Sequence, residues 1–244
     1  MKNTQLSNRD IIRISATDSA EDIRDFLQGL VTQDLQLVQP DTPQWSALLN
    51  AQGKVMYDFF LWADEADILI DCEAAVSEAL IKRLKLYRLR RKIEIGPDER
   101  HVVHWTKDKN EYPADPRLPA LGHRWLAEAE NGDTANKSYQ AHRLSMGVTE
   151  GVAELGAEKT LWLECNAAEL NGVSFTKGCY VGQENTARMN YRQKVNRRMV
   201  VVPLDQADEK RQRAAYPDLG LSVEHRRVDD LDGLELPDWL RKAL

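Results

Sequence analysis

Residues 45–62 leave this chain few ways to fold. One apolar run ends at Leu48 and Leu49, a second carries Val55, Tyr57, Phe59 and Leu61, and only Asn50 and the turn Ala51-Gln52-Gly53-Lys54 separate them. So short a connection cannot hold the crossover that parallel strands need, so the two runs pair as an antiparallel hairpin. Alternation places Val55, Tyr57, Phe59 and Leu61 on one face. A hairpin this apolar needs cover, and the flanking sequence offers it. Residues 11–14 read as a strand. Ser19, with Asp22 three residues on, resembles a capping box opening a helix whose apolar positions are Ile23, Phe26, Leu27 and Leu30. Residues 67–71 form another strand, and Val76, Leu80, Leu84 and Tyr87 are the buried stripe of a second helix. Ile93 and Ile95 alternate with polar neighbours as the next strand. Strands and helices mix without a steady βαβ alternation, so the fold class is α+β.

At 244 residues the chain can bury roughly 70–75% of its unfolded surface. Residues 108–119, with prolines at 113, 116 and 119, and residues 131–138 read as loops. Past Val202 the character changes: residues 205–213 are almost wholly polar and later apolar groups are short. A boundary near Asn196 is expected, giving a main domain over 1–195 and a short segment over 196–244.

The net charge of −6 and a pI near 5.5 argue against a general nucleic-acid binder. Two local basic groups remain. Seven of the eleven residues at 82–92 are Lys or Arg, and the apolar stripe of that helix makes them its solvated side. Arg188, Arg192, Lys194, Arg197 and Arg198 suit a polyanionic ligand tail or an RNA backbone as well as a solvated surface. No stretch approaches the roughly 20 apolar residues of a membrane span, so no membrane partner is expected. Residues 1–10 show neither a signal core nor an arginine-rich presequence, which makes the cytoplasm the default expectation.

Cys72, Cys165 and Cys179 form no CxxC pair. Three scattered thiols make no recognisable zinc site, and an iron–sulfur cluster held by one chain normally takes four cysteines. No resident metal is expected. Cys72 and Cys165 read as packing residues. Cys179 differs, because it lies in the run Lys177-Gly178-Cys179-Tyr180-Val181-Gly182-Gln183-Glu184. The glycines add nothing to a core but permit positive φ or a close backbone approach. A thiol in such a loop is placed for reactivity. About 3% of a free thiol is ionised at neutral pH, and a nearby lysine raises that fraction. Lys177 is the candidate activator, with Gln183 and Glu184 orienting the loop or a substrate.

These residues resemble the YgfZ/GcvT-type folate-binding proteins, and specifically the iron–sulfur cluster maturation branch, whose signature is the run at 177–184. Weaker blocks follow in order: residues 25–34, the hairpin block 49–54 with Asp58, 87–92, 115–117 with 122–124, and Arg143-Leu144 with Gly147. The resemblance implies a GcvT-like folate-binding unit followed by a β-barrel, here a reduced barrel-like segment. It implies tetrahydrofolate as ligand, with Asn50, Asp58, Arg143 and Glu164 as pocket candidates and Tyr57 as a lining residue. A carboxylate suits a pterin's N–H donors, and arginine suits the anionic glutamate tail. It also implies an accessory role in assembly or repair of [4Fe–4S] clusters, with cluster-assembly proteins and client enzymes, including radical tRNA-modifying enzymes, as partners. Contact between Cys179 and iron, as a transient ligand, stays open. The aminomethyltransferase branch carries two consecutive acids where this chain has Tyr57-Asp58, which disfavours the alternative of folate-dependent one-carbon transfer.

Overall fold

The computed structural model describes residues 3–129, 132–192 and 195–244. At its centre β1 (Arg9–Ala16), β2 (Gln44–Leu49), β3 (Val55–Asp64), β4 (Asp67–Glu73) and β5 (Ile93–Pro97) form an antiparallel sheet in the order β2-β3-β4-β1-β5. The expected hairpin is β2–β3, but its register shifts by one residue at the turn end. Leu48 lies opposite Tyr57 and Leu49 opposite Val55, so Met56 is an extra residue. That bulge reverses the pleat. Tyr57, Phe59 and Leu61 face one core, while Val55 faces the other, against the expectation that all four share a face.

Helices α1 (Ile23–Gln28) and α2 (Ser77–Arg88) cover the first face. Leu27, Leu80 and Leu84 are fully buried there against Ile12, Ile14 and Ile70. Each such leucine contributes about 1.5–3 kcal/mol by leaving water. The cap of α1 is Asp22, whose carboxylate accepts from the Asp25 amide at 3.1 Å; Ser19 lies too far upstream of the first helical turn to cap it.

The second face is covered by the hairpin of β6 (Val102–Thr106) and β7 (His123–Ala127), by α3 (Asn136–Ser145) and α4 (Gly151–Leu155), and by the single turn Trp162–Cys165. The expected loop at 131–138 ends early, because α3 opens at Asn136; Asn131 lies outside the described residues. The segment 108–119 is irregular, as expected, yet Asp115 and Arg117 within it are buried. α5 (Gln183–Arg192) leads to a three-stranded antiparallel sheet of β8 (Arg197–Pro203), β9 (Gln212–Tyr216) and β10 (Leu221–Arg227), ordered β8-β10-β9, and a last turn of helix, α6 (Asp238–Arg241). Three strands do not close a barrel. Met199, Val201 and Val223 of this small sheet join the core beneath the second face.

Candidate functional site

Cys179 is the exposed cysteine; Cys72 and Cys165 are buried, and burial pushes the Cys72 thiol up to about 12 and that of Cys165 well above its ordinary value. The loop that presents Cys179 is held from three sides. Lys177 reaches back to donate to the carbonyl oxygens of Val31 (2.6 Å) and Gln33 (3.0 Å), its ammonium 5.0 Å from the Tyr180 ring centre. The Gln183 amide donates to Gly178 O at 2.9 Å, and the Val181 amide to Gly29 O at 3.2 Å. Gly182, at φ +83°, rests on the hairpin turn: a Cβ there would stand 2.6 Å from Asn50 O and 3.0 Å from Gly53 Cα. Gly53, at φ +76°, meets the same junction from the turn side, and Asn185 donates to Gln52 O at 2.8 Å. Glycine at both positions is what lets the turn and the start of α5 approach.

This geometry separates the sequence-derived candidates into three places. Lys177, Cys179, Gln183 and Glu184 form the loop, with Asn50 beneath it. Asn50 shapes the turn, its side-chain oxygen accepting from the Gln52 and Lys54 amides at 3.0 Å each. Lys177 is a loop anchor whose ammonium lies on carbonyl oxygens, and burial lowers its pKa to about 8. Glu184 is exposed and pairs with Arg188 at 2.7 Å. Tyr57 packs on the same core cluster as Val181 of the loop.

Asp58 and Arg143 lie on the opposite face of the sheet from Tyr57, because neighbouring strand residues point opposite ways. They border a buried ionic network. Arg9 and Arg124 both donate to Asp71 (2.6 and 2.8 Å), and Arg117 to Asp115 and Glu150 (2.7 Å each). Arg143 donates to both oxygens of Glu154 (2.8 and 2.6 Å). Tyr139 donates to Glu150 at 2.6 Å and accepts from Arg117 and Arg124. The Phe60 ring has the guanidinium of Arg124 at 4.2 Å and that of Arg117 at 4.8 Å. Four arginines thus meet Asp71, Asp115, Glu150 and Glu154 with charges balanced, which is how so many ions tolerate burial. Burial opposes ionisation of Glu150, yet Arg143, Arg117, Arg9 and Arg124 hold its carboxyl well below the usual range. Asp58 is a fifth carboxylate that, among the described residues, has no ion-pair partner of its own. Burial, reinforced by Glu150 and Glu73, raises it to about 6 while it accepts from Gly151 N (2.9 Å) and Trp45 Nε1 (3.2 Å).

Glu164 stands in a third place, where the turn Trp162–Cys165 meets the small sheet, 3.3 Å from His225. Asn50, Asp58, Arg143 and Glu164 therefore stand in three separate places among the described residues. The space beside Asp58, bounded by Val55, Gly151 and Leu155, leaves essentially no volume for even a water molecule, against about 300–1,000 Å³ for small-molecule pockets. The blocks at 115–117 and 122–124, to which local pattern assigns no role, lie at the centre of the network. Among the described residues no group of three or more His, Cys, Asp or Glu is placed to hold a metal ion. The basic group after the loop is broken up. Arg188 is paired, Arg198 is buried on Glu169 at 2.8 Å, and Lys194 lies outside the described residues.

No protein-family model matches the chain. It is 33% identical over 238 residues to the mitochondrial iron–sulfur cluster assembly factor IBA57 of Homo sapiens, covering 81% of this chain and 65% of the human protein. The mouse protein of the same name is 32% identical, covering 82% and 66%. A mitochondrial IBA57 homologue of Neurospora crassa is 31% identical, covering 81% and 52%. The chain thus spans between about half and two thirds of the length of these relatives. Among solved structures, the glycine cleavage system aminomethyltransferase T of Bartonella henselae superposes with a TM-score of 0.65 at 13% identity, covering 92% of this chain and 78% of that one. The GcvT-like α+β fold is therefore established. The expected cytoplasmic location is corrected: the relatives are mitochondrial.

Proposed function

From its homology to the IBA57 assembly factors, we propose that this chain supports assembly or repair of iron–sulfur clusters, with Cys179 as its working group. The observation that carries the reading is one exposed thiol on a loop pinned to the hairpin turn and to residues 29–33, beside two buried thiols. In this mechanism Cys179 loses its proton and lends a thiolate ligand to an iron atom of a cluster in transit. A ligand of the acceptor protein then displaces it, and the thiolate regains its proton. Lys177, Gln183 and Gly182 serve by position: they fix where the sulfur stands, so little ordering is left for the moment of transfer. The clients are [4Fe–4S] enzymes, radical tRNA-modifying enzymes among them, and the partners are cluster-assembly proteins.

Tetrahydrofolate does not fit the residues expected to hold it. Asp58 is capped by Gly151 and Trp45 over a space too small for a pterin, and the Arg143 guanidinium is taken by Glu154. No step is routed through folate. One-carbon transfer is further disfavoured because Tyr57 supplies no second carboxylate next to Asp58.

The test is rescue of aconitase activity, under oxidative stress, in cells lacking the protein. Wild type is expected to restore activity and Cys179→Ser to fail at equal abundance. Equal rescue by the variant would remove the thiol from the mechanism.

A further inference from the structure

The cations of residues 82–92, read from sequence as a solvated face, share that face with two leucines that cluster assembly does not use. α2 turns Leu80 and Leu84 into the core and Lys82, Lys85, Leu86 and Leu89 outward, a stripe set by spacings of three and four. Leu86 is 67% exposed and Leu89 is 81% exposed, and Arg90 and Lys92 continue the exposed stretch. The neighbouring acids are committed elsewhere or lie to one side. Arg91 takes Glu21 (3.4 Å) and Asp25, Glu78 stands 3.7 Å from Lys82, and Glu94 lies exposed on β5. Among the described residues Arg83, Lys85, Arg90 and Lys92 have no ion-pair partner.

Leu89 adds a second, independent observation. It ends α2 at φ 52° and ψ −114°, a conformation that glycine takes freely and that strains a residue with a Cβ. A strained leucine in water contributes nothing to the fold, and glycine at this helix end would fit better. Strain and exposure at one side chain point to something outside the chain that covers it.

We propose that this helix end docks on an anionic lipid surface, with Leu86 and Leu89 entering the headgroup–acyl boundary and Lys85, Arg90 and Lys92 meeting lipid phosphates. The shape favours lipid over protein. Two leucines on a convex helix end supply a small part of the 1,200–2,000 Å² that a specific protein interface typically buries. A bilayer needs no fitted pocket and rewards apolar side chains flanked by cations. The charge fits as well, since a chain of net charge −6 presents cations here and would approach an anionic surface by this end. The expectation of no membrane partner rested on the absence of a span; a peripheral contact needs none.

The experiment is co-sedimentation of the full chain with phosphatidylcholine vesicles, with and without phosphatidylglycerol, at low and physiological ionic strength. Binding is expected only with phosphatidylglycerol and weakens with salt. Leu89→Gly is expected to bind about tenfold more weakly while its unfolding free energy holds or rises, because the strain is relieved. Lys85→Gln with Arg90→Gln is expected to bind roughly 25-fold more weakly, about fivefold per cation. No sedimentation with phosphatidylglycerol, equal sedimentation with phosphatidylcholine alone, or unchanged binding by Leu89→Gly would each overturn the proposal. Leu89-dependent binding to poly-glutamate as tight as to the vesicles would overturn it too, in favour of an acidic protein surface.

Discussion

Replacing Gly182 by alanine should undock the cysteine loop, and the contacts allow the cost to be worked out. The backbone there stands at φ +83°, and the added Cβ would lie 2.6 Å from Asn50 O, 2.9 Å from Leu49 Cβ and 3.0 Å from Gly53 Cα. The left-handed conformation costs an L-residue roughly 1–2 kcal/mol. Overpacking against backbone, which cannot swing aside, adds about 1–3 kcal/mol. The loop can escape by lifting off the turn, so the measured loss should be about 2–4 kcal/mol. Gly178 is the control. It has φ +99° with nothing within 4 Å of a built Cβ, so Gly178→Ala should cost only the conformational part, about 1–2 kcal/mol. Gly53→Ala attacks the junction from the other side, with Gly182 O and Asn185 Cβ each at 3.1 Å. Once either variant has parted the turn from α5 the other has little left to break, so Gly53→Ala and Gly182→Ala should be strongly non-additive. Urea unfolding followed by tryptophan fluorescence gives all four values. Equal losses for Gly178→Ala and Gly182→Ala, or full additivity across the junction, would refute the argument.

Burial holds Asp58 at about 6 against an ordinary 3.8, so between about pH 4 and 6 the folded chain keeps a proton that the unfolded chain releases. Stability should therefore fall as pH rises through that window, by on the order of 3 kcal/mol, and Asp58→Asn should flatten the fall in a pH series of urea midpoints. Glu154→Gln should cost about 3–5 kcal/mol, because it leaves Arg143 buried with only Glu150, 3.5 Å away, as a charged partner. Arg143→Met combined with Glu154→Gln should lose less than Glu154→Gln alone, and a larger loss would show that the pair's charges are not what matters. Reaction of the native chain with a chromogenic disulfide should consume one thiol equivalent, since Cys72 and Cys165 are buried, and Cys179→Ser should abolish it.

How much of this was legible in the sequence depends on the range of the interactions involved. The hairpin, the two helices packed on it and the strands of the central sheet were readable because each rests on alternation or 3.6-residue spacing within a dozen residues, and the run at 177–184 singled out Cys179 by its glycines. The bulge at Met56 was not legible, since a one-residue slip leaves composition and pattern almost unchanged. Nor was the role of Lys177. A thiol lies two residues on in sequence, but the lysine's hydrogen-bond partners in space are carbonyl oxygens 144 and 146 residues away. The same holds for Arg143, which as an isolated residue suits a ligand's carboxylate. Only the packing of α3 against α4 brings Glu154 to it, and a buried guanidinium takes the carboxylate that folding supplies. Local pattern thus determined the elements of the central sheet and singled out the cysteine loop, while the tertiary structure decided which charges face each other, because ion pairing in a core is set by proximity across the fold.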